Sequence, residues 1–378
     1  MAESVFSFFS GAGLLDLGFE NANYNIVFVN EFNQHFLQAY QYARRNRNFI
    51  PQYGYHQCDI RDFLVGETND ALHQQINDEH EQGNLVGFIG GPPCPDFSVG
   101  GKNEGRNGKN GVLAQSYVDL IIDCFPDFFV FENVKGLVKT AKHREYYDEL
   151  KTSLCNAGYY ICDKTLNALS FGVPQDRERI ILIGIRNNIP NINAFLDENG
   201  KINFPWFDNA PFADADEIKA LSWIGRQDFF QNNTRYWPRR LPEQYRELAV
   251  ETWFRRNNVT NHPNGNDVFA VKAGLTKMQT IAEGDVSRKS FKRLHRWRYS
   301  PTAAYGNNEV HLHPYKIRRL SVAETMAIQS LPAWFSLPPT MTLSNKFKVI
   351  GNGVPYLMAE SIANTLREML DELQEENQ

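Results

Sequence analysis

The sequence predicts an α/β protein with a mostly parallel sheet and a second, smaller domain of irregular structure. Short, nearly continuous apolar runs, LVGFIG (85–90) and DFFVFENV (127–134), are typical of strands buried on both faces of a parallel sheet. They alternate with helical patterns near 112–124 and 146–157. From about residue 187 to 316 the regular period is lost. We therefore predict one discontinuous domain, 1–190 with 316–378, and a second domain, 191–315.

The composition is that of an ordinary globular protein. The chain has 378 residues, of which 42% are hydrophobic and 22% charged, and no apolar run approaches the length of a membrane span. Its five cysteines include no CxxC pair, which argues against a disulfide framework or a zinc site. We expect a reduced, cytoplasmic protein that binds no metal and does not enter a membrane.

Charge is distributed unevenly along the chain. The net charge is −5, yet residues 226–319 hold 18 Lys and Arg against 8 Asp and Glu, a net +10, which leaves −15 for the remainder. The segment KSFKRLHRWRYSPTAAYGNNEVHLHP (289–314) interleaves basic and aromatic side chains. Such a mixture suits phosphate contacts and stacking on bases, so this segment predicts binding to a nucleic acid.

Three strand ends in the first part of the chain predict a nucleoside pocket. VFSFFSGAG (5–13) reads as a strand followed by a glycine turn, in which Gly11 and Gly13 allow close approach of a ligand. The strand NIVFVNE ends at Glu31, about 20 residues later, where an acid can accept ribose hydroxyls. HQCDIRDF offers a third strand end at Asp59, suited to an adenine amino group.

The stretch GGPPCPDFS (90–98) places a nucleophile at the end of a buried strand. Two glycines and two prolines stop the strand and stiffen the loop that presents Cys94. A cysteine is a useful nucleophile as a thiolate. The polar stretch that follows, GGKNEGRNGKNG (100–111), is predicted to be a lid or a loop that faces DNA.

The next strands bring candidate partners to the same sheet edge. DFFVFENV ends in Glu132, and burial would raise its pKa and allow it to act as an acid near neutrality. FGVPQDRERIILIGIR (171–186) supplies Arg177 and Arg179 on one side of an extended segment. Near the end, IRRLSVAETMAIQSLP reads as a helix capped by Ser321, and GNGVPYLMAESIANTLREML as a turn into an amphipathic helix.

Taken in order, these blocks resemble the cytosine-C5 DNA methyltransferases. SFFSGAGLLDLGFENA resembles the family's S-adenosyl-L-methionine loop, GGPPCPDFS its catalytic loop, FENVKGL its acid strand and FGVPQDRERIILIGIR its QxRxR segment. RRLSVAETMAIQSLP and GNGVPYLMAESIA resemble its closing motifs. The resemblance covers 5–186 and 317–370. It implies a Rossmann-like, S-adenosylmethionine-dependent methyltransferase fold, with the intervening segment as target-recognition domain.

The resemblance also implies a role for each residue that matches. Cys94 attacks C6 of the cytosine, Glu132 holds its N3 and amino group, Arg179 contacts its carbonyl and Arg177 supports the loop. The residues expected to line the cofactor are Phe9, Gly11, Ala12, Gly13, Glu31, Phe32, Asp59, Ile60, Pro93, Leu113, Asn352 and Gly353. Those expected to contact DNA are Ser98, Arg293, Arg296, Arg298 and Thr302.

The implied activity is methylation of C5 of a cytosine that is flipped out of double-stranded DNA. The enzyme is expected to be a monomer of the bacterial cytoplasm, acting at the nucleoid in a restriction–modification system with a separately encoded cognate endonuclease. Three positions depart from the family pattern: Pro95 replaces a common Gln, Ser7 a common acid and Gly353 a common Ser. None of them removes a catalytic group.

Three alternatives stay open at this point. An RNA cytosine methyltransferase of the same fold would share the motifs, although the large basic segment favours duplex DNA. A catalytically idle DNA-binding subunit would conflict with the intact Cys94, Glu132 and Arg179. A nicotinamide oxidoreductase is disfavoured because the third glycine of the dinucleotide motif is missing.

Overall fold

The structure is a computed structural model that describes residues 3–93, 111–212, 214–223, 237, 241–271, 274–302 and 311–375. Its centre is a seven-stranded sheet with the strand order β3-β2-β1-β4-β5-β8-β6. The strands are β1 (Glu3–Phe8), β2 (Asn25–Asn30), β3 (Tyr55–His56), β4 (Leu85–Gly90), β5 (Phe128–Val134), β6 (Tyr159–Asn167) and β8 (Glu178–Arg186). All neighbouring pairs are parallel except those of β8, which is antiparallel to β5 and β6. The predicted mostly parallel sheet is confirmed.

The described residues form eleven α-helices, several of which cover the two faces of this sheet. They are α1 (Leu14–Asn21), α2 (Gln34–Arg44), α3 (Glu67–Glu81), α4 (Gly111–Cys124), α5 (Ala141–Asn156), α6 (Ala215–Ala220), α7 (Val250–Arg256), α8 (Leu275–Thr280), α9 (Val322–Ile328), α10 (Leu343–Asn352) and α11 (Tyr356–Glu375). Strand residues alternate between two hydrophobic clusters, since Val5 packs with α1 and α11 whereas Phe6 packs with α3, α4 and α5. This alternation is the two-residue period of a strand buried on both sides.

The end of the chain returns to its beginning. Helix α11 packs along α1, and Gly18 lies where the two backbones meet. A Cβ atom at Gly18 would lie 2.5 Å from the backbone nitrogen of Glu360. Helix α9 begins with the predicted capping box, in which Ser321 and Glu324 each accept a hydrogen bond from the other's backbone N–H.

Where the structure describes the segment between β8 and α9, it has few regular elements. Besides α6, α7 and α8 it contains the two-residue strands β9 (Lys292–Arg293), β10 (Ser300–Pro301) and β11 (His311–Leu312). Strand β10 pairs with β7 (Gln175–Asp176), and β11 pairs with β9. Ile202 and Phe204 pack with the central sheet, and Trp253 packs with α9. The domain limits at 191 and 315 stay predictions.

Within the described ranges, no helix is both long and apolar enough to cross a membrane.

Candidate active site

The predicted site residues gather where β1, β2, β4 and β5 end at one edge of the sheet. In a parallel sheet the loops after neighbouring strands meet at such an edge, which is where ligands bind. Here the edge receives the glycine loop after β1, the residue Glu31 after β2, the loop Gly91–Pro93 after β4 and Glu132 near the end of β5.

The loop after β1 makes a tight, left-handed path. Phe9, Gly11 and Gly13 have φ values of 53°, 58° and 73°. A Cβ atom at Gly13 would lie 2.4 Å from the ring of Tyr40, so that position has no room for a side chain. Ala12 is buried between the two glycines. The loop therefore offers backbone rather than side chains to a ligand.

Glu31 connects the second strand to this loop. Its Oε2 accepts a hydrogen bond from the backbone N–H of Gly11 at 2.8 Å, and its Oε1 accepts one from Asn33 at 2.7 Å. Burial raises the pKa of Glu31, and these two hydrogen bonds lower it by less. Each carboxylate oxygen keeps a second lone pair, which leaves acceptors for ribose hydroxyls.

Two further predicted cofactor residues have contrasting surroundings. The ring of Phe32 is 69% exposed, an unusual position for an aromatic side chain and one suited to stacking on a base. Asp59 caps the short helix Ile60–Leu64 and forms an ion pair with Arg61 at 2.8 Å, which lowers the pKa of Asp59. Ile60 is buried.

The remaining predicted cofactor residues come from three separate segments. Leu113, in the first turn of α4, is half-buried, and Pro93 is exposed. Asn352 is exposed at the end of α10. A Cβ atom at Gly353 would lie 2.4 Å from the side chain of Leu14, so α1 and the turn after α10 pack closely. This contact gives a physical reason for glycine at 353.

The acid predicted on β5 is buried beside an arginine. The Nε atom of Arg179 lies 2.7 Å from Oε1 of Glu132, and both side chains are 9% exposed. In the antiparallel register of β5 and β8, Val134 lies opposite Arg179 and Asn133 opposite Ile180. Glu132, two residues before Val134 on the same strand, therefore shares a face of the sheet with Arg179. Burial raises the pKa of Glu132, and the charges of Arg179 and Arg177 offset part of that shift.

Arg177 joins this strand pair to the end of the chain. It is buried, and its Nη2 donates hydrogen bonds to the backbone oxygens of Gly351 at 2.6 Å and Gly353 at 3.0 Å. These carbonyls flank Asn352, which is predicted to line the cofactor. Arg177 thus connects the start of β8 to the turn at the end of α10. Such a link is what a residue that supports a loop would make.

The loop that leads to the predicted nucleophile passes directly over the acid. A Cβ atom at Gly91 would lie 2.7 Å from Oε2 of Glu132, and the carbonyl of Pro92 accepts a hydrogen bond from the side chain of Asn133 at 3.4 Å. Cys94 and Ser98 lie outside the described residues, as does most of the predicted polar loop, 100–111. The loop therefore lies against Glu132 at Gly91, the first residue after β4.

The entrance to the irregular segment is attached to the strand of the arginines. The hydroxyl of the exposed Thr302 donates to the backbone oxygen of Asp176, and the N–H of Ser300 donates to Pro174 at 2.9 Å. Thr302 is therefore attached to Asp176, the residue directly before Arg177, and its contact with DNA stays a prediction.

Arg293, which is predicted to contact DNA, lies in enclosed surroundings. Its side chain is buried, and its guanidinium donates to four backbone carbonyls, those of Met278, Ile281, His313 and Lys316. The donors of this guanidinium are directed at protein carbonyls, and its contact with DNA stays a prediction. Only its basic character could be read from the sequence, whereas its burial depends on contacts far along the chain.

The two neighbouring arginines are less enclosed. Arg296 pairs with Glu283 through two hydrogen bonds of 2.9 and 2.8 Å and lies over the ring of Tyr315. Arg298 is half-buried, with its guanidinium 5.2 Å from the centre of the Tyr299 ring. Both keep their predicted role as candidates for DNA contact, although Arg296 already has an ionic partner.

Two buried charged residues beneath the glycine loop were not identified from the sequence. Asp16, in the first turn of α1, is buried, and burial raises its pKa to about 6. Arg44, the last residue of α2, is completely buried and donates to the carbonyls of Ala12 and Gly13. In the sequence Arg44 resembles an ordinary solvated residue at the end of a helix, so no local signal could have identified it.

Comparison with known proteins finds a matching family, similar sequences and a similar fold. Residues 4–368 match the family of C-5 cytosine-specific DNA methylases. The chain is 52% identical over 368 residues to the type II methyltransferase M.NmeDI of Neisseria meningitidis serogroup C, an alignment that covers 97% of this chain and 84% of the relative. It is 28% identical to M.FnuDI of Fusobacterium nucleatum, over 97% and 94% of the two chains. The S. pombe Dnmt2 methyltransferase has a similar fold, with a TM-score of 0.62 at 13% identity over 98% and 99% of the two chains.

Proposed function

This chain belongs to the C-5 cytosine-specific DNA methylases, and from that premise we propose that it methylates cytosine through a covalent bond between Cys94 and C6 of the base. It is a DNA (cytosine-5-)-methyltransferase of the type II kind. The finer steps of the proposal concern the nucleophile, the residues around the base, the cofactor and the purpose of the reaction.

The chemistry explains why a thiolate and an acid are both needed. C5 of cytosine is a poor nucleophile until another group adds at C6, and the thiolate of Cys94 forms that bond. A carboxyl group that donates to N3 makes the addition easier, which is the role of Glu132. After the methyl group has been transferred to C5, a base removes the C5 proton and the bond to Cys94 breaks, which restores the double bond of the ring.

One observation carries the proposal: the loop before Cys94 passes at contact distance over Glu132, which is buried and paired with Arg179. Burial raises the pKa of Glu132, as expected for an acid that holds a proton near neutrality. Arg179 lies close enough to Glu132 to bind the carbonyl of the same base. An acid and a cation beside the loop that leads to the nucleophile suit attack on a polar ring.

The other side of the same edge fits S-adenosyl-L-methionine. Its adenosine would be held by Glu31 at the ribose, Phe32 at the base and the backbone around Gly11 and Gly13, where the absence of side chains permits close approach. When bound, the cofactor supplies an activated methyl group on a sulfonium.

A cytosine in a duplex cannot reach the sheet edge, so the base must be flipped out, at a cost of a few kcal/mol. We assign recognition of double-stranded DNA to the segment 191–315, which contains most of the basic region 226–319. We also propose that the enzyme acts as a monomer in the bacterial cytoplasm and protects host DNA against a separately encoded endonuclease of the same specificity.

The decisive experiment uses DNA that contains 5-fluorocytosine. Fluorine at C5 cannot leave as a proton does, so the covalent intermediate accumulates in the presence of S-adenosyl-L-methionine. We expect a denaturation-resistant complex whose tryptic map places the base on Cys94, and no such complex with Cys94→Ser. Cys155→Ser, at the exposed cysteine of α5, is the control and should trap DNA like the parent. Parental methylation by Cys94→Ser would overturn the proposed mechanism.

A further inference from the structure

A buried cation lies beneath the glycine loop that is proposed to hold the cofactor. The Nη2 atom of Arg44 donates to the carbonyl of Gly13 at 2.8 Å, and Nη1 donates to that of Ala12 at 3.2 Å. Its Nε donates to Oε1 of Glu20 on α1 at 2.6 Å. One side chain therefore connects the end of α2, the glycine loop and the helix that follows the loop.

The loop also rests on the rings and atoms around this cation. The guanidinium of Arg44 stacks on the ring of Tyr40 at 3.8 Å. A Cβ atom at Gly13 would lie 2.4 Å from Tyr40 and 2.6 Å from Nη1 of Arg44, so the backbone of the loop touches both groups. Because Gly13 has a left-handed φ of 73°, this contact fixes a conformation that other residues rarely adopt.

The surrounding charges keep the guanidinium ionised. Burial by itself lowers the pKa of Arg44, but Tyr40, Glu20 and Asp16 outweigh it and raise the pKa above its usual range. A buried charge must satisfy its donors with nearby acceptors. Two of those acceptors are successive carbonyls of the loop, and holding both of them fixes two planar peptide groups.

We propose that Arg44 is a positioning residue for S-adenosyl-L-methionine. Arg44 acts through the carbonyls of Ala12 and Gly13, whose positions it fixes. The side chain lies behind the loop, so it prepares the surface that the cofactor meets. This inference rests on the proposed function, because it assumes that the loop binds the cofactor.

Two substitutions at Arg44 and one nearby control test the inference. Arg44→Met removes the charge and all three hydrogen-bonding contacts. Arg44→Lys keeps the charge but cannot reach three acceptors with the fixed geometry of a guanidinium. The control is Arg47→Met, since Arg47 is 4.0 Å from the other oxygen of Glu20 and its side chain is 43% exposed. The full-length proteins are compared by calorimetric titration with S-adenosyl-L-methionine, by steady-state kinetics on duplex DNA and by thermal unfolding.

Loss of the two loop contacts should weaken cofactor binding. We expect Arg44→Met to raise Kd and KM for S-adenosyl-L-methionine about tenfold or more, as expected for hydrogen bonds to a charged group. Its kcat at saturating cofactor should stay within about twofold of the parent, because an ordered loop is recovered once the cofactor is bound. The Kd and KM of Arg44→Lys should lie between those of the parent and of Arg44→Met. The values for Arg47→Met should match the parent.

The results distinguish a failure of the inference about Arg44 from a failure of the proposed function. Folded Arg44→Met or Arg44→Lys with parental cofactor affinity would overturn the inference, as would a fall in kcat with KM unchanged. If Arg44→Met does not fold, the folded Arg44→Lys variant decides the matter by the same measures. A parent enzyme that binds no S-adenosyl-L-methionine would instead overturn the proposed function.

Discussion

Glu132 is acted on by two opposing influences. Burial favours its neutral form and raises its pKa, whereas the positive charges of Arg179 and Arg177 favour the carboxylate. The raised pKa means that burial dominates. The carboxyl group therefore keeps its proton to a higher pH than an exposed glutamic acid, and it can donate a hydrogen bond to a ring nitrogen.

Replacing this acid should reduce turnover far more than it reduces stability. Glu132→Gln keeps the shape but removes the acidic proton, so we expect the single-turnover rate of methylation to fall by about 10² or more. The control is Glu178→Gln on β8, where the exposed carboxylate pairs with Lys135 at 2.8 Å. That variant should methylate at the parental rate, and an equally active Glu132→Gln would exclude an acid role.

Asp16 makes stability depend on pH. Its pKa is 3.8 in an unfolded chain and is raised by burial to about 6 in the folded one. Below the lower value both states are protonated. As pH rises between the two values, the unfolded chain ionises first, so the folded state loses stability, and the loss is complete above the higher value. The sign is opposite to that of an ion-paired aspartate.

The substitution Asp16→Asn removes this dependence. We expect the difference in unfolding free energy, variant minus parent, to become more positive by about 1 kcal/mol between about pH 5 and about pH 8. Urea denaturation at the two pH values measures it. A difference that is constant with pH would show that Asp16 ionises equally easily in the folded and unfolded states.

At the scale of elements, the contact between α1 and α11 depends on a missing side chain. In an exposed helix Gly→Ala stabilises by about 1 kcal/mol. At Gly18 the new Cβ would lie 2.5 Å from backbone of α11, which cannot move aside as a side chain can. We expect Gly18→Ala to lower the unfolding free energy by about 1 to 3 kcal/mol, measured by urea denaturation. Stabilisation would mean that the two helices separate readily.

Strands and caps were predictable where the signal is local. The apolar runs of β4 and β5 and the capping box at Ser321 need only a few adjacent residues to be read. The antiparallel direction of β8 and the helix α10 were not predicted, because direction depends on pairing with β5 and β6 rather than on composition. Likewise, Arg293 and Arg44 are ordinary basic residues until distant carbonyls enclose them.

At the scale of the whole molecule, the charges separate into an acidic catalytic part and a basic segment. Residues 226–319 carry a net +10 against −15 elsewhere. A duplex should therefore be attracted to one part and repelled by the other, which orients its approach. Two of these cations already have partners within the protein, since Arg293 donates to backbone carbonyls and Arg296 pairs with Glu283.

Salt should reveal which arginines bind phosphate. Kd for duplex DNA, measured by fluorescence anisotropy over a series of salt concentrations, should rise steeply with salt. Arg298→Gln should reduce the slope of log Kd against log salt by about one without changing Tm. Arg293→Gln should lower Tm instead, because it leaves four buried carbonyls without their donor. Equal effects of the two variants on slope and Tm would contradict this distinction.

The hydrogen bonds from Arg177 to Gly351 and Gly353 have a consequence for synthesis. The first of these partners is translated 174 residues after the arginine, when most of the sheet has left the ribosome. A polypeptide released early would lack both carbonyls and the turn that bears Asn352. The arginine side of the candidate site is thus complete only when the segment that contains Gly351 and Gly353 is present.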